Sequence, residues 1–326
     1  MSNLPEISDK NIHFSRAHNF FNQSAYKAAL SEINLAIKQA PELTEYRLLR
    51  AKIFMETFNS EKAIEELNII IDRNEKLAEA HFTLGCVYDS MKQREQARTH
   101  FSLAIDNDPE MINSYERRSL ASYFLEEYES AIQDLNFVLE HETMNGNAYI
   151  NRGRALFKLD KKLNALEDFS QGLYFRFYMT SMILWSLSDW RVLTELEQIL
   201  TQYPQSADTF FMFGHTYETG SNKNIPDAIR NYSRAIEIYP QKPVYHLYRS
   251  RAYLTQGNLV DAMPDIQFVL EMDPDHMDGI LLRGKIYFHQ TNIQSAIKDF
   301  ERALQLNPFH IEAEEIKKRI RDSSGN

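Results

Sequence analysis

Alanine returns eight times at a fixed place in this chain, at Ala29, Ala63, Ala97, Ala131, Ala165, Ala228, Ala262 and Ala296. Successive members lie 34 residues apart, except for the step from Ala165 to Ala228. A period of this length is the mark of stacked supersecondary units, none of which can bury its apolar side alone. Counting units from Lys10 gives starts at 10, 44, 78, 112 and 146, and the register returns at Ala207, Pro243 and Met277 after an irregular stretch. The alanine is then position 20 of every unit. Position 8 is always small (Ala17, Ala51, Gly85, Ser119, Gly153, Gly214, Ser250, Gly284). Position 11 is mostly aromatic (Phe20, Phe54, Tyr88, Tyr217, Tyr253, Tyr287), and position 32 is proline in Pro41, Pro109, Pro240, Pro274 and Pro308.

Two antiparallel helices per unit explain the pattern. Positions 4, 8 and 11 share one face of a first helix, and positions 20, 24 and 27 share one face of a second. Small side chains at 8 and 20 let the backbones approach, while the aromatic at 11 fills the space beside them. Proline at 32 cannot continue the second helix, because it lacks the donor N–H and clashes with the preceding turn. It also pushes the residue before it, such as Asp108 or Asn307, toward an extended conformation.

These repeats resemble the tetratricopeptide repeat family. Gly85, Tyr88, Ala97, Phe101, Ala104 and Pro109 match its pattern, and Tyr115 or Phe210 stands where the family often has tryptophan. The resemblance implies an all-α, right-handed α-α superhelix of helical hairpins with a concave groove and a continuous core. The expected organisation is a leader (1–9), five units (10–179), an irregular truncated unit (180–206), three units (207–310), a capping helix (311–321) and a disordered tail (322–326).

Composition agrees. Gly and Pro supply only 20 of 326 residues, too few for an all-β chain with a tight turn roughly every 8–12 residues. A net charge of −10 has the wrong sign for a general nucleic-acid binder. The single cysteine, Cys86, excludes an intramolecular disulfide and fits a reducing compartment. The most apolar stretch, Tyr174–Leu187, is interrupted by Arg176 and too short to span a membrane, and the first residues carry no apolar signal core. A cytoplasmic protein is expected.

Position 7 is arginine in six units, each with an acid at position 23: Arg16 with Glu32, Arg50 with Glu66, Arg118 with Asp134, Arg152 with Asp168, Arg249 with Asp265, and Arg283 with Asp299. The other two units lack both, with Leu84 facing His100 and Phe213 facing Asn231. This covariation inside one chain predicts a salt bridge between the helices of each hairpin.

In the family, positions 2, 5, 9 and 12 line the groove. Here position 5 is apolar in Phe14, Leu48, Phe82, Ile150, Phe211, Leu247 and Leu281, and position 12 in Met55, Tyr123, Phe157 and Phe288. Position 9 leans basic, with His18, Lys52, Arg154, His215, Arg251 and Lys285. An apolar trough carrying a basic row predicts a protein or peptide partner with apolar anchors and some acidic residues. The bland alternative is that these residues pack between helices and extend their charged ends into water. The chaperone-type carboxylate clamp requires Lys at position 5 and Asn at position 9 of one unit, and neither occurs.

The truncated unit is aromatic and contains the only two tryptophans, Trp185 and Trp190, as candidate interface anchors or gap fillers. No phosphate loop, nucleophile elbow or zinc-binding histidine pair appears, so neither cofactor nor enzymatic activity is expected. The sequence reads as a protein-binding adaptor. The alternative is an assembly subunit that self-associates through the aromatic break or the end caps.

Overall fold

The computed structural model describes residues 12–175, 190–220 and 223–324. The leader 1–9 and Trp185 lie outside the described residues. The chain divides into two compact units, Met1–Thr143 and Met144–Asn326. The first holds α1 (Ile12–Asn22), α2 (Tyr26–Gln39), α3 (Thr44–Glu56), α4 (Ser60–Asp72), α5 (Leu77–Ser90), α6 (Arg94–Asn107), α7 (Ile112–Phe124) and α8 (Tyr128–His141). The second holds α9 (Gly146–Lys158), α10 (Lys162–Phe175), α11 (Trp190–Gln202), α12 (Ala207–Thr219), α13 (Ile225–Ile238), α14 (Pro243–Gln256), α15 (Leu259–Met272), α16 (Met277–His289), α17 (Ile293–Leu306) and α18 (Ile311–Ser324). Among the described residues there is no strand. The fold is an all-α solenoid of hairpins, and from the second hairpin on the first helices begin within a residue of the starts counted from the alanine period.

Seven hairpins close at position 15, whose identity varies freely. Ser24, Phe58, Lys92, Glu126, Asp160 and Thr291 all adopt positive φ there, as does Gly257. The left-handed residue lets the next amide reach back five residues, as in Asn59 N–H to Phe54 O at 2.8 Å and Gln93 N–H to Tyr88 O at 2.9 Å, satisfying carbonyls at the helix end. At the other end of the hairpin, the residues before proline are extended: Asp108 has φ −146° and ψ 92°, and Asn307 has φ −139° and ψ 96°.

All eight position-20 alanines are fully buried. Position 8 is matched to position 24 across the hairpin. A Cβ added to Gly85 would lie 2.6 Å from the Phe101 ring, one on Gly153 2.7 Å from Phe169, and one on Gly214 2.5 Å from Tyr232. Where position 8 carries a side chain, as in Ala17, Ala51, Ser119 and Ser250, position 24 is Ile33, Leu67, Leu135 and Ile266. Glycine is therefore used where a ring must lie flat on the neighbouring backbone. Burying each ring contributes about 1.5–3 kcal/mol.

Second helices pack on the next first helix, α2 on α3, α4 on α5 and α6 on α7, and likewise α13 on α14 and α15 on α16. At the end of the second unit, Ala313 and Ile320 of α18 join Phe300 and Ala303 in one apolar cluster.

Candidate protein-binding face

The arginine row is held inside the hairpins. Arg118 donates Nε and Nη2 to Asp134 at 2.9 and 2.7 Å, and Arg152 does the same to Asp168 at 2.8 and 2.7 Å. Arg249 reaches Asp265 at 2.7 and 2.8 Å, Arg283 reaches Asp299 at 2.8 and 2.7 Å, and Arg50 bonds Glu66. The planar fork matches the carboxylate, and every acid is buried. In three units the remaining Nη1 reaches back to position 25 of the preceding second helix: Arg50 to Asn34 at 2.9 Å, Arg118 to Ser102 at 3.2 Å and Arg249 to Ser233 at 3.1 Å. One guanidinium thus joins three helices.

The first hairpin differs from expectation. Glu32 pairs with His13 at 2.6 Å, not with Arg16, which is exposed. His13 occupies position 4, one turn before position 7 on the same face. Position 4 feeds the acid elsewhere too, with Arg47 on Glu66 at 3.0 Å and His246 on Asp265 at 2.8 Å. In the third hairpin, position 4 is His81 and position 23 is His100. Their Nδ1 atoms lie 3.2 Å apart, and Tyr88 stacks on His100 with 7° between the rings. Burial pushes both imidazoles below the usual histidine range, so one neutral ring donates to the other.

The expected groove residues separate by unit. On the first, Phe14, Lys52, Met55, Phe82 and Tyr123 are half-buried and His18 is exposed, while Leu48 is buried between helices. Lys52 and Arg117, the latter exposed on α7, flank Cys86, and neither cation has an ion-pair partner among the described residues. Burial pushes the Cys86 thiol above its usual range.

On the second unit the expected trough is largely filled. Ile150, Phe211, Leu247 and Leu281 are buried, the last at 3% exposure. Leu173 and Tyr174, at the end of α10, share one core cluster with Phe211, Leu247 and Tyr248. The Tyr248 hydroxyl donates to the Leu173 carbonyl at 3.5 Å. His276 accepts the Gly279 N–H at Nδ1, so its Nε2–H points to the Tyr174 carbonyl at 3.4 Å, with the two rings 4.5 Å apart. His215 is also buried, which pushes its pKa down to about 4 and keeps it neutral. These five positions are therefore enclosed where an open groove was expected: α10 touches both α12 and α14 and covers Phe211 and Leu247, while Leu281 packs in the cluster that α18 closes.

The basic row of this unit is also occupied. Arg251 forks onto Glu218 at 2.7 and 2.6 Å and lies 4.0 Å over the Tyr248 ring, while Tyr232 donates to the same carboxylate at 2.7 Å. Lys285 bonds Glu312 of α18 at 2.7 Å. Arg154, Phe157 and Phe288 remain half-buried. Glu218 replaces the apolar residue usual at position 12, a departure visible in the sequence once Arg251 is known to face it. Trp190 opens α11, and its side chain lies outside the described ones. No described helix is long and apolar enough to cross a membrane, and the described residues form no group of three or more His, Cys, Asp or Glu placed to hold a metal ion.

Tetratricopeptide repeat family models match residues 78–111 and 278–310. No curated protein matches the sequence. Among solved structures, the chain is similar to a crystal structure of MamA protein, at 19% identity and a TM-score of 0.45 over 51% of this chain and 91% of that one. It is similar to a tetratricopeptide repeat protein from Parabacteroides merdae, at 17% identity and a TM-score of 0.38 over 96% and 98%. It is also similar to the first TPR of Spaghetti (RPAP3) bound to an HSP90 peptide, at 24% identity and a TM-score of 0.35 over 37% and 95%. With two stretches matched by the family models and the same hairpin, buried alanine and proline stop recurring between and beyond them, the chain is a tetratricopeptide repeat protein.

Proposed function

We propose that this chain is a non-catalytic adaptor that holds an extended segment of a protein partner on the first-helix face of its first unit. The observation that supports this reading is the pairing state of the cations. Five of the six position-7 arginines are held by a carboxylate, yet Lys52 and Arg117, which flank Cys86 on a face that also carries half-buried Phe82, Met55 and Tyr123, have no acid of their own among the described residues. Half-buried apolar side chains rimmed by unpaired charge suit a partner that brings apolar anchors and carboxylates. No unit pairs a lysine at position 5 with an asparagine at position 9 to read a chain-terminal carboxylate, so this reading gives the acids to side chains within the partner.

Acetylated, amidated peptides of the form Leu-Phe-X-X-Leu-Phe, with X as glutamate or neutral norleucine, test this by fluorescence anisotropy. The glutamate peptide should bind the wild type more tightly than the norleucine peptide. The preference should fall by about tenfold or more in Lys52→Glu/Arg117→Glu, since reversing two charges replaces attraction with repulsion. Equal binding of the glutamate peptide by both proteins would remove the first unit from consideration.

A further inference from the structure

On the first-helix face of the second unit three bases are each held by an acid. Lys242 Nζ holds Asp208 at 2.8 Å, Arg251 holds Glu218 at 2.6 Å, and Lys285 Nζ holds Glu312 at 2.7 Å. Asp278, in the first turn of α16, is only 9% exposed, and no described residue gives its carboxyl a hydrogen bond or an ion pair. Titratable groups of three helices act on it: Arg251 and Tyr248 of α14, Lys285 of its own helix and Glu312 of α18. Both of those cations are already engaged with other acids. Side chains that enclose a carboxyl normally satisfy it, because an unpaired buried acid is destabilising. Among the described residues, Asp278 is left without a base of its own.

We propose that Asp278 is the docking point for the ammonium or guanidinium of a Lys or Arg side chain on a protein partner. Partial burial strengthens a charge-assisted hydrogen bond at such a carboxylate. The bases on either side cannot serve instead, since moving Arg251 would strand Glu218, and moving Lys285 would free Glu312 only partly, at the surface. Selectivity for a cation also follows: an acidic side chain there would meet the carboxylates of Asp278 and Glu312. Burial pushes the Asp278 carboxyl up to about 7, against the pull of Arg251 and Lys285, so near neutrality it is partly protonated. An arriving cation favours the ionised form, and binding then releases a proton. Affinity should rise as pH increases through that value.

The inference rests on the reading of the chain as a peptide-binding solenoid, but it uses the second unit, and the test keeps the two apart. Leu-Phe-X-X-Leu-Phe peptides with X as lysine or norleucine are titrated against the wild type, Asp278→Asn and Lys52→Glu/Arg117→Glu. The lysine peptide should bind the wild type about tenfold or more tighter than the norleucine peptide. That preference should vanish in Asp278→Asn, which keeps the side chain's size, and should survive in the first-unit variant. With the wild type alone, calorimetry in two buffers of different ionisation enthalpy should show proton release near pH 6.5. A lysine preference that persists in Asp278→Asn, or wild-type binding with no proton release, overturns the proposal. If glutamate peptides bind while lysine peptides do not, only this inference falls; if no peptide binds, the proposed function falls with it.

Discussion

Gly85→Ala is the substitution that tests most directly how the hairpins are packed. In most exposed helices this change is stabilising by about 1 kcal/mol, since glycine is a poor helix former. Here the new Cβ would sit 2.6 Å from Cε1 and 2.7 Å from Cδ1 of Phe101, a fully buried ring. Carbon atoms prefer about 3.5–4 Å, so the ring must retreat by about 1 Å into a core that has no spare room. Overpacking of this kind costs about 1–3 kcal/mol, which outweighs the helical gain and leaves a net loss of up to about 2 kcal/mol. Phe101→Leu alone opens a cavity and also destabilises. The double variant reproduces the pair that the second hairpin already uses, Ala51 with Leu67. It should therefore be more stable than the sum of the two single effects by about 1–3 kcal/mol, the range expected for side chains in contact. Thermal melts of the four proteins give the cycle, and hydrogen exchange over residues 77–107 locates it, because a repeat array need not unfold all at once. A shift of about 2–4 °C per kcal/mol is expected for units of this size. Additivity within about 0.5 kcal/mol, or a simple gain of stability in Gly85→Ala, would refute the steric argument.

The ion pairs and the histidine pair give two further tests. Arg152→Ala leaves Asp168 buried without its partner and should cost about 3–5 kcal/mol, whereas the same change in an Asp168→Ala background should cost far less; equal losses in the two backgrounds would show that the pair is not coupled. His81 and His100 both lie below the ordinary histidine value of 6.5 when folded, so the unfolded chain binds protons first as pH drops. The stability they contribute is complete above that value and is lost as pH falls below it, so melting temperature should decline from pH 7 to 5. The decline should be shallower in His81→Leu/His100→Leu, and a wild-type melting temperature that is flat over that range would contradict the assignment.

Much of the hairpin was legible without coordinates, because helix geometry is local. A residue at position 20 meets one at position 8 through the short connection of its own hairpin, so a period in the sequence becomes a period in space. The alanines, the proline stops and five of the six arginine–acid pairs follow from that. Position 15 escaped notice because a left-handed turn leaves no trace when its residue may be Phe58 in one unit and Asp160 in another. The tie between glycine at 8 and an aromatic at 24 was written in the sequence, but it acquires meaning only from the distance between a ring and a backbone.

Tertiary structure alone decided which of the groove positions stay open. The repeat rule assigns Phe14 and Phe211 the same role, yet the first is half-buried and the second fully enclosed. The difference arises where the period fails: α10 runs against α12 and α14, and its last residues join Phe211 in one core cluster. Likewise, the charge at position 9 depends on whether a neighbouring helix supplies an acid, as Glu218 does for Arg251 and nothing among the described residues does for Lys52. Local periodicity determines where a side chain stands on its helix; only the path of the whole chain determines what comes to rest against it.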